Sequence, residues 1–190
     1  NAQATLGLVN ASGFNKVNAG GAAGALTISG LPTTTTVSIS DTAVNHTLTF
    51  KEVSGSSDSA TLAFAQVTGG NSTEINIAGI ETITATSSGG SASNSFELAA
   101  TALTTITLDG SGDLTLSALN VGGTTKLKSV DASAMTGALD LTTGLLSLGT
   151  SVLTVTGGSG NDSIDSSDHT GTAVSIDGGA GNDTVTHVLA

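Results

Sequence analysis

Gly157-Gly158-Ser159-Gly160-Asn161-Asp162-Ser163-Ile164-Asp165 and Gly178-Gly179-Ala180-Gly181-Asn182-Asp183-Thr184-Val185-Thr186 are two copies of one nonapeptide, Gly-Gly-x-Gly-x-Asp-x-U-x, where U is a large aliphatic residue. Each position has a physical job. The glycines accept backbone angles closed to other residues and turn their carbonyl oxygens toward a common point. The sixth-position carboxylate, Asp162 or Asp183, adds charge to that point, and Ile164 or Val185 anchors the strand that follows. The copies start 21 residues apart, enough for two short strands and two turns. The two loops are therefore expected to stack on one edge, one coil apart.

The same rhythm runs outward from this pair. Ile83-Thr-Ala85, Ile106-Thr-Leu108, Val130-Asp-Ala132, Leu153-Thr-Val155 and Val174-Ser-Ile176 begin 23, 24, 23 and 21 residues apart, and a looser copy, Leu62-Ala-Phe64, precedes Ile83 by 21. A second strand follows each turn, at Leu114, Ala138, Ser163 and Thr184. Two alternating strands and two turns per coil predict an all-β, right-handed parallel β-roll or β-solenoid with coils of about 23 residues over 75–190. Leu114, Leu116, Leu139 and Leu141 are expected inside, with the intervening Thr and Asp outside. Over 1–74 the pattern weakens, and Ala25 to Ser29, Thr36 to Ser40, Thr47 to Phe50 and Thr61 to Ala65 are read as a β-rich cap, antiparallel or sandwich-like. Irregular solenoid coils are the competing reading. Helix is expected at most over Glu97 to Ala102 and Ala118 to Asn120.

Calcium is the cation this chemistry suits, because it takes six to eight oxygen ligands in flexible geometry and so accepts carbonyls mixed with carboxylates. One loop offers too few oxygens, so the ion is expected between the stacked loops. The expected ligands come from Gly157, Gly158, Gly160, Asp162, Gly178, Gly179, Gly181 and Asp183. Asp109, Asp113, Asp131, Asp165 and Asp177 are read as exposed acids of turns and strands, and the opposite edge at Asp168 to Gly171 as binding nothing.

Over Gly157 to Thr186 the chain resembles the repeats-in-toxin (RTX) proteins, which bacteria export by type I secretion and which fold around Ca²⁺ outside the cell. From Gly79 to Asp183 the order of its segments, through Leu103 to Gly110 and Ser129 to Gly137, looks like bacterial surface-layer (S-layer) proteins and large RTX adhesins. The resemblance implies that motif-glycine carbonyls and the two stacked aspartates hold each ion. Only two nonapeptides are intact, which argues for one complete site.

Composition narrows the rest. Four lysines, Lys16, Lys51, Lys126 and Lys128, face fifteen acids for a formal net charge of −11, so no concentrated basic surface exists for nucleic acid. There is no Cys, hence no disulfide or thiol chemistry. No run of about eighteen apolar residues exists, so membrane insertion by a helix is not expected. No signal peptide follows Asn1, and the end at Val188-Leu189-Ala190 reads as mid-strand; a piece of a larger protein is expected. No zinc-helix, nucleophile-elbow or phosphate-loop signature is present, so no enzyme is expected. His46, His169 and His187 are read as surface histidines.

These readings converge on an extracellular, calcium-stabilised structural segment at the bacterial cell surface. Its expected partners are copies of itself in a lattice, with cell-surface polysaccharide as a further one. A stalk or binding module of an RTX adhesin, or the calcium-binding C-terminal roll of a secreted enzyme, is the alternative.

Overall fold

The computed structural model describes residues 4–8, 15–20, 24–40, 45–68, 73–89, 93–119, 127–142, 152–167 and 173–188. Within them lie strands β1 (Ala4–Gly7), β2 (Lys16–Gly20), β3 (Leu26–Leu31), β4 (Thr36–Ser40), β5 (His46–Phe50), β6 (Ser59–Ala65), β7 (Glu74–Ile77), β8 (Thr82–Ser88) and β9 (Asn94–Ala100). They continue as β10 (Thr105–Gly110), β11 (Leu114–Leu119), β12 (Ser129–Met135), β13 (Leu139–Thr142), β14 (Val152–Thr156), β15 (Ser163–Asp165), β16 (Ala173–Asp177) and β17 (Thr184–Thr186). Odd-numbered strands stack into one nine-stranded sheet and even-numbered strands into an eight-stranded one, each strand pairing in parallel with the strand two along the sequence. That is a β-solenoid: the chain alternates between two sheets and climbs one strand spacing per coil. No helix occurs among the described residues, and Glu97 to Ala100 and Ala118 to Leu119, read as helical candidates, are strand.

The reason lies in side-chain size and alternation. Strand after strand reads buried, outward, buried, as in iBiBiBe over β8 and BiBiBiB over β9, because most alternate residues are Val, Ile, Leu, Phe or Ala, with Ser87 and Asn94 the exceptions in these two strands. Between the sheets these side chains form one continuous core from Ala19 to Ile164, and its only paired rings are Phe64 and Phe96, 4.2 Å apart, among the described residues. Leu114, Leu116, Leu139 and Leu141 are all buried, as the alternation requires.

The antiparallel cap expected over 1–74 is not formed. β1 pairs with β3, β3 with β5 and β5 with β7, while β2, β4, β6 and β8 follow one another in the second sheet, all in parallel. The same inward columns therefore run through this region as coils, built from Ile28, Leu48 and Ile77 on one side and Val37, Leu62 and Ala85 on the other.

Register departs from the sequence reading at two steps. Val130 stands beside Val155 and not Leu153, and Leu62 stands beside Ala85 while Ala60 takes the place next to Ile83. Both slips are of two residues. A shift of two leaves every inward residue inward, so alternation alone cannot detect it. Leu153 pairs instead with Val174, which is half-buried in the last coil.

Registration creates outward columns as well. On the second sheet Lys16 is followed by Thr36, Thr61 and Thr84, and these by Thr107, Asp131, Thr156 and Asp177. A parallel column runs through Ser59, Thr82, Thr105, Ser129, Thr154 and Ser175.

Several inward positions are polar, among them His46, Ser87 and Asn94. Asn94, at the start of β9, is fully buried beside Leu114. Its Oδ1 accepts the Val67 N–H at 2.9 Å, and its Nδ2 donates to Ser87 Oγ at 2.8 Å and to the Ser88 carbonyl at 2.9 Å. Every polar atom is satisfied, which is what makes the burial tolerable.

Candidate functional site

The turns that follow β10, β12, β14 and β16 lie on one edge and stack on one another. Asn182 N donates to Asn161 Oδ1 at 2.9 Å and Ala180 N to the Gly158 carbonyl at 2.9 Å, so the two nonapeptides sit in register one coil apart. A Cβ placed on Gly157 would collide with the Gly178 carbonyl, one on Gly179 with that of Gly158, and one on Gly181 with that of Gly160. Glycine is thus demanded by the neighbouring coil, and at Gly179 and Gly181 also by φ of 86° and 126°.

Asp162 is the best-held acid of the edge. It is 2% exposed, and its carboxylate accepts Leu139 N–H at 2.8 Å through Oδ1 and Gly158 N–H at 2.7 Å through Oδ2. One side chain thereby ties its own turn to the preceding coil. Asp183 repeats the upward link, accepting Asp162 N–H at 3.0 Å. The two aspartates singled out from the sequence are brought together, one stacked behind the other.

Among the described residues no group of three or more His, Cys, Asp or Glu is placed to hold a metal. What the edge offers is oxygen: two aligned carboxylates and the main-chain carbonyls of the glycine turns. A Cβ on Gly157 would lie 2.5 Å from Asp162 Oδ2, and one on Gly178 2.5 Å from Asp183 Oδ2, so glycine at these positions lets each carboxylate lie against the backbone of its own turn. Oxygen donors in that arrangement fit Ca²⁺. The carbonyl of Gly158, which already accepts from Ala180, is the least available of the set.

The edge extends further than the motif. A Cβ on Gly137 would strike the Gly112 carbonyl and one on Gly160 that of Gly137, so the turn around Gly112, the turn around Gly137 and the two nonapeptides form one stack. Asp113, read as an exposed acid, is half-buried and accepts Ala138 N–H at 2.8 Å, a coil-to-coil link that runs forward to the next coil where those of Asp162 and Asp183 run back. Asp113 stands one position out of the Asp162 column, which passes through Leu139 to Leu114. The clue was in the sequence: Gly110-Ser-Gly-Asp113 is a shortened form of the same turn.

The remaining acids divide. Asp131 and Asp165 each fold back on the serine two residues on, Ser133 and Ser167, and those hydrogen bonds hold both carboxyls below the ordinary aspartate range. Asp177 is exposed and accepts Gly179 N–H at 3.0 Å. Asp109 is half-buried, with an Oδ1 that is buried without a hydrogen-bond partner. Asp168 to Gly171, including His169, lies outside the described residues.

His46 corrects the reading of the histidines as surface groups. It points inward from β5 between Leu26 and Ile75, fully buried, and burial lowers its pKa. His187 is exposed, with Nδ1 3.1 Å from Ser166 Oγ.

Comparison with protein-family models and with curated proteins finds no match for this chain. The geometry of the edge therefore carries the functional reading.

Proposed function

We propose that this chain is a calcium-stabilised structural segment of a secreted bacterial surface-layer protein, assembling into a lattice at the cell surface. The observation that supports it most is the in-register stack of the two nonapeptide turns, with Asp162 and Asp183 one behind the other. Asp162 and Asp183 would hold the ion with carbonyls of Gly157, Gly160, Gly178 and Gly181, and the ion would supply positive charge between carboxylates that otherwise repel.

The chain's own residues do the rest. Amides of Leu139, Gly158 and Asp162 orient the carboxylates, and the glycines let the coils approach. Such a site suits export of an unfolded chain. With an assumed affinity of about 100 µM, 1 mM external Ca²⁺ stabilises the fold by about 1.4 kcal/mol, while micromolar cytosolic Ca²⁺ contributes almost nothing. No catalytic role is proposed.

Titration calorimetry tests the shared ion. Asp162→Ala and Asp183→Ala should each weaken one and the same Ca²⁺ site, and the double variant should lose little more than either single. Independent, additive losses at two sites would sink the assignment. Ordered two-dimensional arrays formed in Ca²⁺ test the lattice.

A further inference from the structure

The outward face of the eight-stranded sheet carries Lys16 at one end, Asp109 on the central strand β10, and Asp131 and Asp177 toward the other end. Lys16 stands on β2, and no outward position of β4, β6 or β8 carries a charge. Acids return at the far side, where Asp131 and Asp177 occupy the same column as Lys16. For a chain of net charge −11, the uncharged strands β4, β6 and β8 and the opposite charges at the two ends of this column favour contact between like molecules against the repulsion of Asp109.

The column also has a sense. Seven strand spacings separate Lys16 from Asp177, roughly 34 Å, so they cannot pair within one molecule. Turning a second copy over about an axis parallel to the strands reverses the order of coils and keeps the column facing itself. Lys16 of each copy then meets Asp177 of the other, Thr61 meets Asp131, and Thr84 meets Thr107 beside the axis. A contact of this kind is self-complementary and closed, the commonest arrangement among homo-oligomers.

We propose that this threonine-rich face is a two-fold interface between copies of the chain, with Lys16 and Asp177 as its reciprocal ion pairs. The proposal rests on the lattice reading and names one contact of that lattice. The face is roughly 34 Å by 20 Å, about 700 Å² per copy, which lies near the lower limit of standard interfaces and fits a reversible lattice contact.

Sedimentation equilibrium of the 190-residue chain in 1 mM Ca²⁺ is the test, with Ca²⁺-dependent thermal stabilisation measured on every variant. A concentration-dependent dimer is expected. Lys16→Glu turns two attractions into two repulsions and should weaken it about tenfold, and adding Asp177→Lys should restore it. Thr84→Arg, a charge beside the axis, should abolish the dimer while the Ca²⁺ response persists. A chain that stays monomeric but gains stability from Ca²⁺ would overturn the interface alone. A dimer that ignores Lys16→Glu and Thr84→Arg but is lost in Thr47→Arg, on the other sheet, would also overturn it. Loss of the Ca²⁺ response with the dimer intact would count against the calcium site instead.

Discussion

Replacing Asp162 by alanine should damage the solenoid even when no calcium is present. The carboxylate accepts two backbone amides, from Leu139 and from Gly158, and it does so in a setting that leaves the residue 2% exposed. Truncation removes both acceptors and leaves two buried N–H groups unpaired, each costing about 1–3 kcal/mol, for a total of about 2–6 kcal/mol. Asp183→Ala removes the acceptor of one amide, Asp162 N–H, and should cost about half as much in the same buffer. Urea denaturation in EGTA reads the difference, and hydrogen exchange locates it. Because each coil contacts only its neighbours, lost protection should centre on 139–166 and leave Ile83 to Leu108 unchanged. If Asp162→Ala is as stable as the parent in EGTA, the carboxylate does not hold the coils together, and its whole value must come from the ion.

Two more outcomes follow from buried groups. His46 has its pKa lowered by burial, so the unfolded chain binds the proton more readily; stability is fully present above about pH 6.5 and falls as pH drops below it, by at most about 1.4 kcal/mol per pH unit. His46→Leu should flatten that slope in thermal melts between pH 5 and 7, and an unchanged slope would assign it elsewhere. Gly181→Ala should cost about 1–3 kcal/mol from backbone strain alone, since φ there is 126° and the Gly160 carbonyl occupies the space a Cβ needs; a neutral effect in denaturant melts would contradict the tight stacking of the turns.

The parallel solenoid was legible because each inward position repeats at nearly one coil length, and because Gly157 and Gly178 set that length at 21 residues. The aspartates were legible for the same reason. Three features were not. The coils over 1–74 carry the same inward pattern, yet their strands are joined by links of uneven length that hide the period, and Thr36 to Ser40 reads identically in a parallel or an antiparallel sheet. The two-residue slips at Leu62 and Leu153 are invisible to alternation, whose period is two. His46 looked like a surface group because a lone histidine among Thr and Asn gives no sign of its face; it is the alternation with Leu48 and Phe50 that puts it inside.

A stack of similar coils faces a problem of indexing. Leu, Ile and Val in one coil would pack nearly as well against those of the next but one, and a chain that skipped a turn while folding would bury much the same apolar surface. Asn94 breaks that equivalence. Its amide finds partners where Val67, Ser87 and Ser88 converge, and shifted onto the following coils it would stand in the column of Leu114 and Leu139 with its donors and acceptors unpaired. A single side chain thus numbers the coils from the middle, much as a keyed tooth fixes one gear position. Asn94→Leu would be expected to fold into a compact solenoid whose coils no longer share one count.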